Sequence, residues 1–355
     1  MPVSILTSLE QLGTEDIAIL SYENQRNFFK SIEWFACLIK TLSDDDISVK
    51  LYIVSSNKNA SQRCYLFCYI DGKRNTLHSL CNFYTMEFSI IFSSPECPKK
   101  ELLHELFSYM AKEIPANNFI KLECLYDEKE ETSLLYGAFR ASNFLATLYM
   151  YNENYFANVA NKSFGEYYEN RPSTLINTIR RKEKKIRQLY DLRVNIYTEY
   201  DDKALDDYAT VYESSWKDSE RYPNFIRNLC YSAARLGTLR MGILYIDESP
   251  VAAQIWLLSG KKAVIYKLAY DQKFQKFSVG SILTKEIFEF VIKNDNSDEI
   301  SYGLGSEEYK KDWMDNKKTL VGIEAFNLNT YRGTFMAAAY VISSYIKKHV
   351  IRRRS

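Results

Sequence analysis

The sequence predicts an α/β (α+β) fold in two halves built on one plan, and three observations carry that reading. Segments with apolar residues every three or four positions alternate with segments whose apolar residues recur every second position, the marks of helices and strands. The 355 residues are about two domains' worth of chain. The order of helices and strands in the first half returns in the second. Hydrophobic residues make up 46%, enough for a core and too many for a disordered chain. With only 12 glycines and 7 prolines, fibrous and low-complexity architectures fall away.

The first helix is expected over 27–41, from the spacing in Phe28-Phe29 and Ile32 through Trp34-Phe35 to Leu38-Ile39. Strands are expected at Val49–Val54, Cys64–Ile70 and Phe88–Phe92, then a helix at 99–112. A strand at Phe119–Leu125, a helix near 130–141 and a strand at Leu145–Tyr151 close the first half. The second half opens with a helix at 173–189 and the alternating strand Leu192–Tyr200. Helices follow at 203–216 and 223–236, the latter stopped by Gly237. Three strands, Thr238–Ile246, Val251–Leu258 and Ala263–Tyr270, form a meander through short turns. A helix from Gly280 to Lys293, strands at Glu299–Tyr302 and Val321–Leu328, and a helix at 334–349 complete the chain.

Lys plus Arg number 46 and Asp plus Glu 45, a net charge of +1 that speaks against a nucleic-acid partner for the chain as a whole. The N-terminus lacks a basic region before an apolar stretch and does not read as a signal peptide. The longest apolar run, Phe335–Ile342, is far short of the ~20 residues of a membrane span. Seven cysteines without a Cys-x-x-Cys pair read as reduced thiols, and the expected location is cytoplasmic. With only His78, His104 and His349 available, the chemistry is expected to run without histidine and without a metal.

One junction stands out. The strand Ala263–Tyr270 leads through Asp271-Gln-Lys-Phe-Gln-Lys-Phe-Ser-Val-Gly-Ser281 into a helix. A loop that opens a helix there presents backbone N–H groups and the positive end of the helix dipole, which suits a phosphate or pyrophosphate. Gly280 permits close approach of a ligand, and Ser278 suits either a helix cap or a hydrogen bond to phosphate. The same residues also read as an ordinary capped helix.

At Gln275-x-x-Ser278-x-Gly280 the chain resembles the GNAT acyltransferase superfamily, whose pyrophosphate loop reads Gln/Arg-x-x-Gly-x-Gly/Ala, with Ser278 where that family prefers Gly. It is more similar still to the Fem-type branch and its cellulose-biosynthesis-like acetyltransferase family. The segments that carry this are Phe29–Phe35, Ile179–Lys185, Ser215-Trp-Lys217, Val251–Ala253, Tyr270-Asp271 and Gly303–Lys310. The resemblance implies two tandem GNAT-like domains, each a mixed, mostly antiparallel sheet flanked by helices. Residues 1–160 would form a degenerate N-terminal domain, and 161–355 an acyltransferase domain with a basic C-terminal helix. Between Phe92 and Lys100 the first half has Glu96 where an anion would sit, so that half is expected to shape an acceptor cleft.

The implied activity is acyl transfer from acetyl-CoA or another acyl-CoA to an amine, on a small-molecule or sugar-linked acceptor used in surface-polysaccharide or cell-envelope synthesis. Gln275, Phe277, Ser278, Val279, Gly280 and Ser281 are the expected cofactor contacts. Asp271, Glu308, Tyr309 and Lys310 are the catalytic candidates, with Glu308 as base, Tyr309 as acid and Lys310 as an electrostatic clamp. Trp216, Lys217 and Arg221 are expected on the acceptor side, and Trp313 reads equally as core or contact. Two alternatives stand beside this: an aminoacyl-tRNA-dependent Fem-type transferase, with the basic stretch 180–187 as its feature, and a non-catalytic binding protein on the same fold. The basic C-terminal helix is expected either to dock on its domain or to touch the inner face of a membrane.

Overall fold

The computed structural model describes residues 2–42, 47–113 and 118–350, so the arginines at 352–354 of the basic tail lie outside the described residues. The chain begins with β1 (Val3–Leu6), α1 (Thr14–Leu20), α2 (Tyr22–Gln25), α3 (Ile32–Ile39) and β2 (Ile47–Ser55). Next come β3 (Arg63–Asp71), β4 (Thr76–Ser79), β5 (Ile91–Phe92), α4 (Lys99–Lys112), β6 (Phe119–Tyr126), α5 (Glu130–Ala141) and β7 (Phe144–Asn158). There follow α6 (Phe164–Glu169), α7 (Ser173–Leu189), β8 (Leu192–Tyr197), α8 (Asp202–Glu213) and α9 (Pro223–Arg235). The last elements are β9 (Leu239–Ile246), β10 (Ser249–Ser259), β11 (Lys262–Tyr270), α10 (Val279–Asn294), β12 (Glu299–Leu304), β13 (Asn316–Asn327) and α11 (Tyr331–Val350).

The helix expected over 27–41 is interrupted. A 3-10 turn at Phe28–Lys30 ends at Ser31, whose hydroxyl donates to the Phe28 carbonyl at 2.8 Å and accepts from the Trp34 N–H at 3.3 Å. That serine ends one turn and starts the next, because its side chain competes for the helix hydrogen bonds. The strand expected at Phe88–Phe92 shrinks to the two residues of β5.

Two compact units result, and they interleave rather than meeting at 160/161. One comprises Met1–Asn24, Leu38–Asn152 and Thr319–Ser355; the other comprises Gln25–Cys37 and Glu153–Lys318. Pairing explains both exchanges. Residues Leu320–Phe326 of β13 run antiparallel to β6, which places them in the first unit. In the second unit, Ser259 accepts from the Phe28 N–H at 3.1 Å and donates to Asn27 at 3.0 Å, and Trp34 meets Phe225 and Tyr266 edge-on.

The first unit's strands lie in the order β1-β2-β3-β4-β6-β13-β7, mostly antiparallel, with β5 beside β3. In the second unit the end of β7 is followed by β12-β11-β10-β9-β8, again antiparallel except for β11 beside β12. All eight residues of β9 are buried, so both of its faces are covered, and α8 and α10 pack on it. Gly242 of β9 leaves room for Ile287 and Leu283 of α10, where a Cβ would collide. The second core continues through Trp256, Phe288, Val279 and Ile282.

Candidate functional site

The site begins where two strands part. β11 and β12 pair in parallel over three residue pairs only, Lys262–Val264 against Glu299–Ser301. Beyond them β12 is irregular: its register against β7 shifts between Ser301 and Leu304, and Gly303 takes φ +65°. Asn154 of β7 holds the bend by donating to Ser301 Oγ at 2.8 Å and to the Gly303 carbonyl at 2.6 Å. The opening is a cavity of about 380 Å³. Leu268, Ala269 and Tyr270 line it from β11, Tyr302 from β12, and Gly280, Ser281 and Thr284 from α10.

The first turn of α10 forms one wall. Ile282 N–H is the first to bond back into the helix, to the Ser278 carbonyl at 3.1 Å, so the N–H groups of Val279, Gly280 and Ser281 have no partner within the helix. Ser278 sits in the left-handed region (φ +56°, ψ +39°), which explains why a glycine suits this position. Its hydroxyl makes no capping bond, so the expected cap is absent. Gln254, buried in β10, donates to the Gly280 carbonyl at 3.1 Å and to Thr284 Oγ1 at 2.7 Å, and accepts from Trp256 Nε1 at 2.8 Å. That network fixes the turn from below. Gly280 is also tight against Tyr270, where a Cβ would lie 3.1 Å from Cδ1. Of the expected cofactor contacts, Gly280 and Ser281 face the cavity, the side chains of Phe277 and Val279 are in the core, and Gln275 is exposed.

The turn after β12 places the catalytic candidates on three different faces. Glu308–Asp312 is a 3-10 helix, in which residues three apart share a face. Three pairs follow. Glu308 and Lys311 point to solvent and pair at 2.7 Å, with the Glu308 side chain 84% exposed, so the expected base is turned away from the cavity. Glu307 and Lys310 pair at 2.8 Å, and Lys310 is buried, also donating to the Leu304 carbonyl at 2.5 Å. Its ammonium is used in closing the turn. Tyr309 and Asp312 form the third pair, and both line the cavity. Asp312 is the only carboxylate among the described residues that line it. It was missed, although reading 307–312 with a period of three rather than 3.6 would have found it. Asp271 caps the turn Gln272–Phe277 by accepting from the Lys273 N–H at 2.9 Å.

Tyr309 meets Tyr302 edge-on, centroids 5.5 Å apart, and burial with the nearby Glu307 carboxylate pushes its phenol up to about 12. Burial likewise raises Tyr302. Trp216, half exposed, lies over Tyr270 at 4.5 Å on the rim. Lys217 lies over the Trp216 and Tyr212 rings, and burial with the Lys267 ammonium lowers its amine to about 8. Arg221 is exposed over Tyr222 and is not among the residues lining the cavity. Trp313 is both core and lining: it stacks on Phe288 at 5.0 Å, and its carbonyl accepts from Tyr167 and Arg171.

Residues 173–311, which supply nearly all of this cavity, match the family model of an acetyltransferase (GNAT) domain. The chain carries a GNAT domain. Around it, the fold extends to tandem arrangements. FemX is similar with a TM-score of 0.60 at 10% identity, covering 92% of this chain and 98% of that one. A tandem GNAT protein from the clavulanic acid biosynthesis pathway matches with a TM-score of 0.51 at 7% identity, over 91% and 98%. The C-terminal domain of an Agrobacterium fabrum protein assigned as a lysylphosphatidylglycerol synthetase matches with a TM-score of 0.57 at 10% identity, over 94% and 96%. No curated protein matches the chain in sequence. The GNAT domain makes this an acyltransferase fold, a class whose donor is in general an acyl-CoA. The three N–H groups at the start of α10, with Gly280 and Ser281 at the cavity wall, fit a diphosphate. Among the described residues no group of three or more His, Cys, Asp or Glu is placed to hold a metal.

Proposed function

We propose that the protein transfers an acyl group from an acyl-CoA to the amine of a sugar or sugar-linked acceptor. The cavity beside the first turn of α10 supports this reading, because it brings a helix end suited to an anion, the Asp312 carboxylate and the Tyr309 phenol to a single space. When bound, the thioester supplies an activated carbonyl. The chain supplies the rest. Asp312 accepts the proton of the incoming ammonium, and Tyr309, whose phenol keeps its proton through neutral pH, donates one to the departing thiolate. The acceptor class rests on the rim: Trp216, Tyr270 and Tyr309 offer ring faces on which the apolar face of a pyranose can lie. A place in surface-polysaccharide or cell-envelope synthesis rests on the resemblance alone.

The aminoacyl-tRNA reading has one feature in its favour: α7 leaves Arg180, Arg181, Lys184 and Lys185 exposed. A thiol-release assay with acetyl-CoA and a panel of amino sugars separates the two. Acceptor-dependent release with a product heavier by one acetyl group is expected. No release with any acceptor, together with transfer from charged tRNA, would overturn the proposal.

A further inference from the structure

The last helix has two apolar faces, and the first unit covers one of them. On the inner face Gly333 sits against the Asn327 carbonyl, Ala337 is buried, and the Tyr340 ring lies 5.3 Å from Phe326. On the opposite face Tyr331, Phe335, Ile342 and Ile346 follow one another at helical spacing, and they are 99%, 75%, 59% and 50% exposed. Every residue from Val341 to Ile346 is exposed, so the helix runs on past the surface it packs against. A helix end without packing is poorly held in water, and an apolar stripe of this length calls for a cover.

Charge identifies the cover. Residues 331–355 contain no Asp or Glu and six basic residues, five of them (Lys347, Lys348, Arg352, Arg353 and Arg354) within the last nine. A second copy of the helix would add another cationic end and no acid to neutralise either. No helix among the described residues is long and apolar enough to cross a membrane. An anionic lipid surface meets both demands: apolar side chains enter the boundary between headgroups and acyl chains, while Lys and Arg meet phosphate. We propose that α11 docks the protein on an anionic membrane surface. This stands apart from the acyl-transfer reading, since α11 contributes nothing to the cavity.

The test is sedimentation of the full chain with vesicles of phosphatidylcholine alone, or of equal parts phosphatidylcholine and phosphatidylglycerol. The protein is expected to sediment with the mixed vesicles only, and to be released by salt. Phe335→Asp with Ile342→Asp should abolish binding at an unchanged melting temperature, since both side chains are exposed. Arg353→Gln, which leaves the apolar face intact, should lower the partition about fivefold, the equivalent of about 1 kcal/mol per cation near an anionic surface. Sedimentation independent of phosphatidylglycerol, no sedimentation at all, or a dimer in solution that Phe335→Asp splits would overturn the proposal.

Discussion

The helices α4 and α10 begin in comparable places and end up with different uses. Each follows a strand in its own unit, and each has a dipole that would welcome an anion. At α4 Pro98 caps without a side-chain bond, Cys97 is buried, and the first three positions carry the long side chains of Lys99, Lys100 and Glu101. Ahead of them Glu96 stays charged, its carboxyl held below the usual range by the Ser94 hydroxyl. At α10 the entrance is open: a left-handed Ser278 is followed by Val279, Gly280 and Ser281, of which the last two border a cavity. A helix terminus is therefore not a site by itself. The residue before it and the size of its second and third residues decide.

Removing the groups that distinguish the α10 side should have the largest effects. Asp312→Asn and Tyr309→Phe are each expected to lower kcat by roughly 10²–10⁴ with an unchanged melting temperature, whereas Glu308→Gln should stay within about twofold. Steady-state kinetics with an amino-sugar acceptor checks this. An effect at Glu308 as large as at Asp312 would undo the three-face reading of the 3-10 turn.

The left-handed residue comes next. Ser278→Gly should stabilise the fold by up to about 1 kcal/mol, and Ser278→Val should cost about 1–2 kcal/mol, as read by urea denaturation. Equal stabilities would mean that the loop relaxes when the residue changes.

Lys217 shows itself in the pH dependence of stability. Its amine falls from 10.5 to about 8 in the folded protein, so the unfolded chain binds the extra proton between those values. Stability should gain a component that rises as pH goes from about 8 towards 10.5, with the penalty fully present below 8. Lys217→Met should remove that rise and stabilise the protein at pH 7. The difference between the two denaturation-versus-pH curves reads it directly.

Much of this was legible in the residues. The meander β9–β11 declares itself through alternation and turn residues, and the start of α10 through Ser278 and Gly280. The domain boundary was less so, because the exchange of 25–37 and 319–355 depends on pairing across large sequence separations, such as Leu320–Phe326 with β6. Period hid the difference between two acids near the cavity. Glu308 and Asp312 are both acids in one short segment, and only the 3-10 geometry turns one outward and the other inward. Gln254 was overlooked for a different reason: a lone amide in Val251-Ala-Ala-Gln-Ile-Trp256 reads as an exposed strand position until its partners on α10 are known.

The central claim is that an acyl-CoA is held at the start of α10. Thermal-shift titration with acetyl-CoA and longer acyl-CoAs on the unaltered chain, Gly280→Asp and Lys100→Asp tests it on the matching second positions of the two helices. At ~100 times its dissociation constant a ligand adds about 2.7 kcal/mol, a clear rise in melting temperature. The rise should persist in Lys100→Asp and vanish in Gly280→Asp. A rise unaffected by Gly280→Asp, or lost in Lys100→Asp, would contradict the account.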